Sequence, residues 1–161
     1  RTVDLMPTLL DLLDAPAPRT DGVSLRPAID DPTHELKLPA FNETGVWIAH
    51  VPGLPDDHLR YPDLLHLLDV PDDATGTLSI RENFRDITIA AKDRMVRDGR
   101  WKLVYQPLEN GVRLSLYDVA DDPGCRHDLA AEHPGVIERL YPELRDWMRK
   151  DAQPAKPHFS P

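Results

Sequence analysis

Two turn signals constrain the fold of this chain most strongly. Asp98-Gly99 and Asn110-Gly111 are dipeptides typical of tight hairpin turns, in which a residue with positive φ is needed. Between and after them, apolar and polar residues alternate, which places every second side chain on the same face of a strand. The apolar members of this pattern are Trp101, Leu103, Tyr105, Val112, Leu114 and Leu116. The stretch 92–118 is therefore predicted to form a three-stranded antiparallel meander whose apolar face needs a covering element.

A helical pattern near the end of the chain supplies this cover. Pro134 suits the first position of a helix, where its missing N–H has no intrahelical partner. Apolar side chains then recur at helical spacing, namely Val136, Ile137, Leu140, Tyr141, Leu144, Trp147 and Met148. Pro142 interrupts the pattern and costs roughly 3 kcal/mol in a helix interior, so we expect a kink or a restart there.

The segment 84–91 is predicted as a fourth strand because Ile87 and Ile89 alternate with polar neighbours and lead directly into the meander. The predicted fold class is α+β, with a small antiparallel sheet of about four strands packed by the C-terminal helix. The predicted strands are 84–91, 94–98, 101–106 and 112–117.

The first half of the chain is less regular. Residues 1–14 have the pattern of a short amphipathic helix, with Asp4 as its cap and Pro7 tolerated in the first turn. Phe41 to His50 has the composition of a strand, although Gly45 interrupts it, and 61–70 suits one or two helical turns. The 17 prolines among 161 residues are about twice the average usage, which predicts long irregular connections.

Composition excludes several classes of protein. The 40% hydrophobic and 29% charged residues are typical of a soluble globular protein of about one domain. A formal net charge of -9 argues against nucleic acid or an anionic membrane as a partner. No apolar run approaches the length of a membrane span, and Arg1 begins no signal peptide. Cys125 is the single cysteine and cannot form an internal disulfide, so the compartment stays open.

Catalytic motifs are missing from the sequence. It contains no phosphate loop, nucleophile elbow, paired-cysteine zinc spacing or HExxH motif. His50, His58 and His66 fall eight residues apart, which matches no metal-ligand spacing. The paired carboxylates are interpreted as turn and cap chemistry, and they are Asp30-Asp31, Asp72-Asp73 and Asp121-Asp122. Cys125 is interpreted as a free loop thiol.

Two groups of residues are candidates for ligand binding. Trp47 lies near Glu43, Thr44 and His50 in an irregular stretch, which favours a pocket over a core position. A basic cluster follows further along the chain, consisting of Lys92, Arg94, Arg97, Arg100 and Lys102. This cluster has two interpretations, a charged sheet edge that protects against aggregation or a wall that faces an anion. The candidate substrate-binding residues are Glu43, Thr44, Trp47, His50, Lys92 and Arg94.

Several stretches, in order, resemble the C-terminal portion of sulfatases. VDLMPTLLDLLDAPAP followed by DGVSLRPAI is similar to a passage found after the last active-site elements of the sulfatase catalytic domain. RMVRDGRWKLVYQP, LYDVADDPGCRHDLA and a helix ending in LRDWM are similar to the C-terminal subdomain of that family. The resemblance covers 3–29 and 92–150, and it is loose over 38–88. Cys125 and Asp128 depart from it, because the family usually has Glu and Asn at these positions.

The resemblance implies a hydrolase of sulfate esters in the alkaline-phosphatase-like superfamily. Such enzymes use a formylglycine nucleophile, formed within a Cys/Ser-x-Pro-x-Arg motif, and a divalent cation, usually calcium. Neither the motif nor the metal ligands match any position here, so no catalytic or metal-binding residue is assigned and both are expected N-terminal to Arg1. The implied partners are the missing N-terminal sulfatase domain and a sulfate-ester substrate, with no nucleic acid and no membrane.

The resemblance also implies a domain organisation. Residues 1–38 would end the large α/β domain and connect it onward, and 39–83 would be a loop-rich excursion. Residues 84–151 would form the sheet-plus-helix subdomain, and 152–161 an extended tail.

The segment would complete the core of the large domain and shape the substrate pocket through residues 40–60, without turnover of its own. On this interpretation, substitution of Trp47 or Glu43 should change substrate preference more than stability.

Two alternative functions stay open. One is a related phosphoesterase or phosphoryl-group transferase of the same superfamily, and the other is a free-standing structural or binding module. The apolar stripe predicted for residues 5–13 counts against a free-standing module, because further polypeptide would be needed to bury this stripe.

Overall fold

A computed structural model describes residues 1–46 and 51–151, apart from the side chain of Asp151. The chain divides into two compact units, Arg1–Ala40 and Phe41–Pro161. Within the described residues, no helix combines the length and the apolar character needed to cross a membrane.

Unit 1 begins with a 3-10 turn and the predicted helix α1 (Leu5–Leu12), with Pro7 in its first turn. Asp4 occupies the N-cap position of this helix, as predicted, but its side chain does not cap the helix. Asp4 already has helical φ and ψ, whereas a capping residue is typically extended, and its carboxylate makes no bond to the helix. Instead it accepts hydrogen bonds from Arg1 Nε at 2.8 Å and from the Val23 backbone N–H at 2.9 Å. The Arg1 bond lowers the pKa of Asp4 well below its usual range, against the opposing effect of burial.

A close backbone approach joins α1 to the second helix of unit 1, α2 (Arg26–Asp30). The Thr8 hydroxyl accepts from Leu25 N–H at 2.9 Å. At Gly22 a Cβ would lie 1.9 Å from the Val3 carbonyl oxygen. The glycine of this Asp-Gly turn is therefore required by space.

Unit 2 is α+β, as predicted. Its elements in chain order are β1 (Ala40–Glu43), α3 (Leu64–Leu67), β2 (Leu68–Asp69), β3 (Ser79–Ile80), α4 (Arg85–Ala90), β4 (Arg94–Asp98), β5 (Trp101–Leu108), β6 (Gly111–Asp118) and α5 (Pro134–Asp151).

Four of the strands form one sheet in the order β1-β4-β5-β6, and β2 and β3 form a separate two-stranded ribbon. The meander is confirmed, because β4–β5 and β5–β6 are antiparallel pairs with Asp98 opposite Trp101 and Leu108 opposite Gly111. Gly99 adopts a φ of 58°, the left-handed conformation for which the Asp-Gly signal selects.

The core of unit 2 lies between the sheet and α5. Its fully buried members are Val96, Leu103, Leu116, Leu140 and Leu144. The first three come from neighbouring strands and the last two from the predicted helical stripe. Each such side chain contributes about 1.5–3 kcal/mol relative to exposure. The helix therefore covers the apolar face of the meander, as the pattern predicted.

The prediction of a strand at 84–91 is wrong. Residues Arg85–Ala90 form α4, and the fourth strand of the sheet is β1. The buried and half-buried positions are Phe84, Ile87, Thr88, Ile89 and Ala91, and four of them, at 84, 87, 88 and 91, recur at helical spacing. Thr88 explains the error, because it was counted as polar although it is buried and its hydroxyl donates to the Phe84 carbonyl at 2.8 Å.

The restart expected at Pro142 does not occur, because α5 runs through Pro142 as a single helix. Leu140 and Leu144, on either side of the proline, are both fully buried against the sheet. A restart would rotate one of them away from the core, so packing outweighs the lost hydrogen bond. The strand predicted for Phe41 to His50 ends at Glu43, and residues 47–50 lie outside the described part. The predicted helical turn in 61–70 is α3.

Candidate functional site

The candidate site lies where β1 and β4 meet. Thr44 and Asp93 face each other at this point, and they exchange two hydrogen bonds. Thr44 N–H donates to the Asp93 carbonyl at 2.9 Å, and Asp93 N–H donates to the Thr44 hydroxyl at 3.0 Å. These bonds hold the residues that follow β1 against those that precede β4.

Glu43 places its carboxylate between two cations. Lys92 Nζ forms a short ion pair with Glu43 Oε1, and Arg94 Nε lies 3.5 Å from Oε2. Arg94 is only 3% exposed, and its guanidinium also donates to the backbone carbonyls of Lys92 and Ile89, at 3.1 and 2.7 Å. Glu43 is 24% exposed. The carboxylate therefore neutralises a buried guanidinium and fixes the position of Lys92.

A second polar network braces the same strand from the other side of Asp93. His58 is fully buried, with Nε2 2.6 Å from Asp93 Oδ1 and Nδ1 2.8 Å from the Leu59 carbonyl oxygen. Since a carbonyl oxygen only accepts, Nδ1 carries a hydrogen. Gln106 of β5 donates to Asp93 Oδ2 at 3.2 Å. The loop around His58 is thereby tied to the start of β4.

An open cleft of about 490 Å³ borders the Glu43 carboxylate network, and we call it the Lys92 cleft. Lys92 and Arg85 contribute its positive charge, and Ile80 and Ile89 contribute apolar surface. Glu82 also lines it and lies 3.6 Å from Arg85, in a pair that is mostly exposed and therefore weak. The cleft can accommodate a group with an anionic end and an apolar body.

The structure brings together four of the six predicted substrate-binding residues, namely Glu43, Thr44, Lys92 and Arg94. They converge at the β1–β4 junction, but only Lys92 lines the Lys92 cleft. Trp47 and His50 lie outside the described residues.

The residues that sequence reasoning missed are Arg85, Asp93, His58 and Gln106. Asp93 carried a signal, an acidic residue between two basic ones at the start of a strand. Arg85 and His58 carried none, because they reach the site through segments whose structure the sequence did not reveal.

The basic cluster does not form one continuous wall. Arg97 donates to the Gly99 carbonyl, and Arg100 pairs with Asp118 and Asp121. Lys102 Nζ lies 3.6 Å from Cys125 Sγ. The side chains of the cluster thus have their contacts at separate places, and Lys92 is the member that lines the cleft.

The turn that departs from the sulfatase pattern is well bonded. Asp128 Oδ1 accepts from the backbone N–H groups of Leu116 and Ala130, both at 3.0 Å. Burial opposes ionisation of this carboxyl, but these bonds outweigh it and lower its pKa. Cys125 is a free thiol with a φ of 50°. Asp in place of the usual Asn therefore keeps the hydrogen bonds of the turn.

A metal does not fit the residues described. In 1–46 and 51–151, no three His, Cys, Asp or Glu side chains are grouped so that they could hold a metal ion. His58 is hydrogen-bonded to Asp93, and His66 lies 2.7 Å from Asp63 on the surface.

The fold is shared with sulfatases and phosphonate monoester hydrolases, although no family model matches the sequence. BT1596, a 2-O GAG sulfatase, matches 92% of this chain and 24% of its own, at 22% identity and a TM-score of 0.54. The phosphonate monoester hydrolase SpPMH from Silicibacter pomeroyi matches 91% of this chain and 24% of its own, at 24% identity and a TM-score of 0.52.

The chain thus spans about a quarter of the length of these solved enzymes. The resemblance to a sulfatase C-terminal portion is confirmed as a resemblance of fold.

Proposed function

We propose that this chain is the C-terminal part of a sulfatase-like hydrolase of sulfate esters. In this proposal it shapes the substrate pocket, while other polypeptide carries the reacting groups and a divalent cation, calcium by preference. The Lys92 cleft is the observation that carries the proposal, because it joins a cationic rim to apolar surface in a chain with this fold.

Lys92 is the proposed contact to the anionic ester. Its ammonium group is a compact charge with three donors, of which the Glu43 pair uses one. Glu43 fixes the direction of the Lys92 side chain before substrate arrives, which reduces the entropy cost of binding. Ile80 and Ile89 would contact the apolar part of the substrate.

A second candidate is hydrolysis of phosphonate monoesters, and the match to SpPMH favours it. A tetrahedral phosphonate monoester carries one negative charge, as a sulfate monoester does, so Lys92 and Arg85 suit both. Turnover of both esters by the full-length protein distinguishes the two candidates.

The exposed face of α1 is proposed to pack against the polypeptide that completes the enzyme. Four of its large apolar side chains and that of the following residue are each 44% exposed or more, and they are Leu5, Met6, Leu9, Leu12 and Leu13. Exposed apolar side chains clustered on one short helix are typical of a buried contact. Leu5→Glu with Leu9→Glu should therefore destabilise the full-length protein. Leu65→Glu, at an 87% exposed leucine of α3, is the matched control.

The test measures kcat and KM of the full-length protein for p-nitrophenyl sulfate and p-nitrophenyl phenylphosphonate. Lys92→Met should raise KM for the preferred ester at least tenfold, since a hydrogen bond to a charged group contributes about 1.5–3 kcal/mol. Lys150→Met, an exposed lysine outside the cleft, should leave KM unchanged. Failure to hydrolyse either ester would refute the proposed reaction, and an unchanged KM in Lys92→Met would refute the role of the cleft.

A further inference from the structure

A second cleft in unit 2 carries three arginines and no acidic side chain. It has a volume of about 350 Å³, and its basic lining residues are Arg94, Arg145 and Arg149. We call it the arginine cleft. The whole chain has a formal net charge of -9, so most of its surface repels anions. The charged residues that line this cleft are all cations, so the cleft can attract an anion although the chain as a whole is acidic.

The two arginines of α5 are available to a ligand. Arg145 forms no ion pair with any side chain in the described part of the chain. Arg149 lies 3.4 Å from Asp146, and both side chains are about two-thirds exposed, so this pair contributes little. Residues four apart on a helix share a face, which brings both guanidinium groups to the cleft. Arg94 is buried against Glu43, and its side chain forms a fixed polar part of the cleft wall.

The remaining wall offers one hydroxyl donor and an apolar surface. Tyr105 stands opposite Arg94 in the β4–β5 register, and its hydroxyl makes no hydrogen bond within residues 1–46 and 51–151. Burial raises the pKa of Tyr105, so the hydroxyl stays a donor at neutral pH. Pro107 and Met148 supply apolar surface beside the ring. This combination suits a flat apolar body with one oxyanion.

We propose that the arginine cleft binds a small aromatic oxyanion. Its anionic group lies between Arg145 and Arg149 and accepts from the Tyr105 hydroxyl, and its ring packs against Pro107 and Met148. The site is distinct from the Lys92 cleft, although Ile89 contributes to the wall of both. Binding at the arginine cleft is independent of which ester the protein hydrolyses.

Isothermal titration of the full-length protein with naphthalene-2-sulfonate tests this proposal. The sulfur of this probe is bonded to carbon, so the probe has no ester bond to hydrolyse. Saturable binding is expected. Arg145→Ala combined with Arg149→Ala should weaken it at least tenfold, and Tyr105→Phe should weaken it a few-fold. Lys150→Ala, which removes one charge from the same helix outside the cleft, should leave the affinity unchanged.

Three further titrations separate the parts of the site. Neutral naphthalene-2-sulfonamide and inorganic sulfate should each bind at least tenfold more weakly, because each lacks one half of the recognition. Lys92→Met should keep the binding that the double arginine substitution removes, because Lys92 does not line this cleft. This variant separates the site from the Lys92 cleft, which also suits an anion with an apolar body. The proposal is overturned if the double arginine variant binds as wild type, if no saturable binding is seen, or if Lys92→Met abolishes binding.

Discussion

Glu43→Gln is expected to destabilise the β1–β4 junction. The substitution keeps the shape of the side chain and removes its charge. Arg94, at 3% exposure, would then keep its guanidinium charge with only two backbone carbonyls as partners. Removing one member of a buried ion pair costs about 3–5 kcal/mol. Because Glu43 is 24% exposed and water reaches it, we expect the lower end, about 3 kcal/mol.

Amide hydrogen exchange in the full-length protein measures this effect locally. The Thr44 amide is the best reporter, because its N–H donates to the Asp93 carbonyl across the junction. A loss of about 3 kcal/mol corresponds to exchange roughly 150-fold faster at this amide, at 1.4 kcal/mol for each factor of ten. Glu143→Gln, at an exposed position of α5 without an ion pair in the described residues, is the matched control and should not change exchange there.

A double variant isolates the physical cause. Glu43→Gln with Arg94→Met removes both charges, and replacing a buried pair with neutral groups is often neutral or stabilising. Most of the lost protection should therefore return. Exchange in Glu43→Gln within threefold of wild type, or a double variant no better protected than Glu43→Gln, would refute the reasoning. From sequence, substitution of Glu43 was expected to change substrate preference more than stability. The ion pairs of Glu43 lead to the opposite expectation, that its substitution lowers stability more than it changes substrate preference.

Further predictions concern the turn after β6 and unit 1. Asp128→Ala should cost about 0.5–1.5 kcal/mol, because two backbone donors lose their acceptor but the side chain is exposed and water can replace it. Asp128→Asn should restore most of this loss, as chemical denaturation would measure. Gly22→Ala should destabilise by at least about 1–3 kcal/mol, because its Cβ would lie 1.9 Å from the Val3 carbonyl oxygen, whereas Gly45→Ala meets nothing within 4 Å and serves as the control for thermal denaturation. The pKa of Asp4 is lower in the folded protein than the value of about 3.9 in an unfolded chain, so its stabilising contribution is complete above that pH and declines as the pH falls. Asp4→Asn should therefore flatten the loss of stability between pH 5 and pH 2, as followed by circular dichroism.

The sequence predicted the elements whose signals are local. The turns at Asp98-Gly99 and Asn110-Gly111 needed only backbone preferences, and the strands between them needed only period-two alternation. The helix from Pro134 followed from period 3.6. In each case the residues that form the element also carry the pattern, so a window of ten to twenty residues contains the information.

The errors arose where a distant contact decided the outcome. Thr88 is buried although it is polar, so the apparent alternation of Ile87 and Ile89 with polar neighbours did not identify the buried face of α4. Pro142 stays within α5 because the sheet holds the helix on both sides of it.

Identification of the candidate site required both local sequence patterns and the tertiary structure. The sequence patterns identified four polar or charged residues of the site, namely Glu43, Thr44, Lys92 and Arg94. Glu43 and Lys92, however, are 49 residues apart, and they meet only because β1 pairs with β4 at the edge of the meander. The arginine cleft has the same origin, since Arg94 and Arg145 come from a strand and a helix that a single pattern cannot relate. Local patterns determined which elements form, because backbone preference and side-chain periodicity act over a few residues. The partner of each charge was decided by the tertiary structure, because an ion pair needs two side chains within about 4 Å and only the packed sheet and helix set that distance.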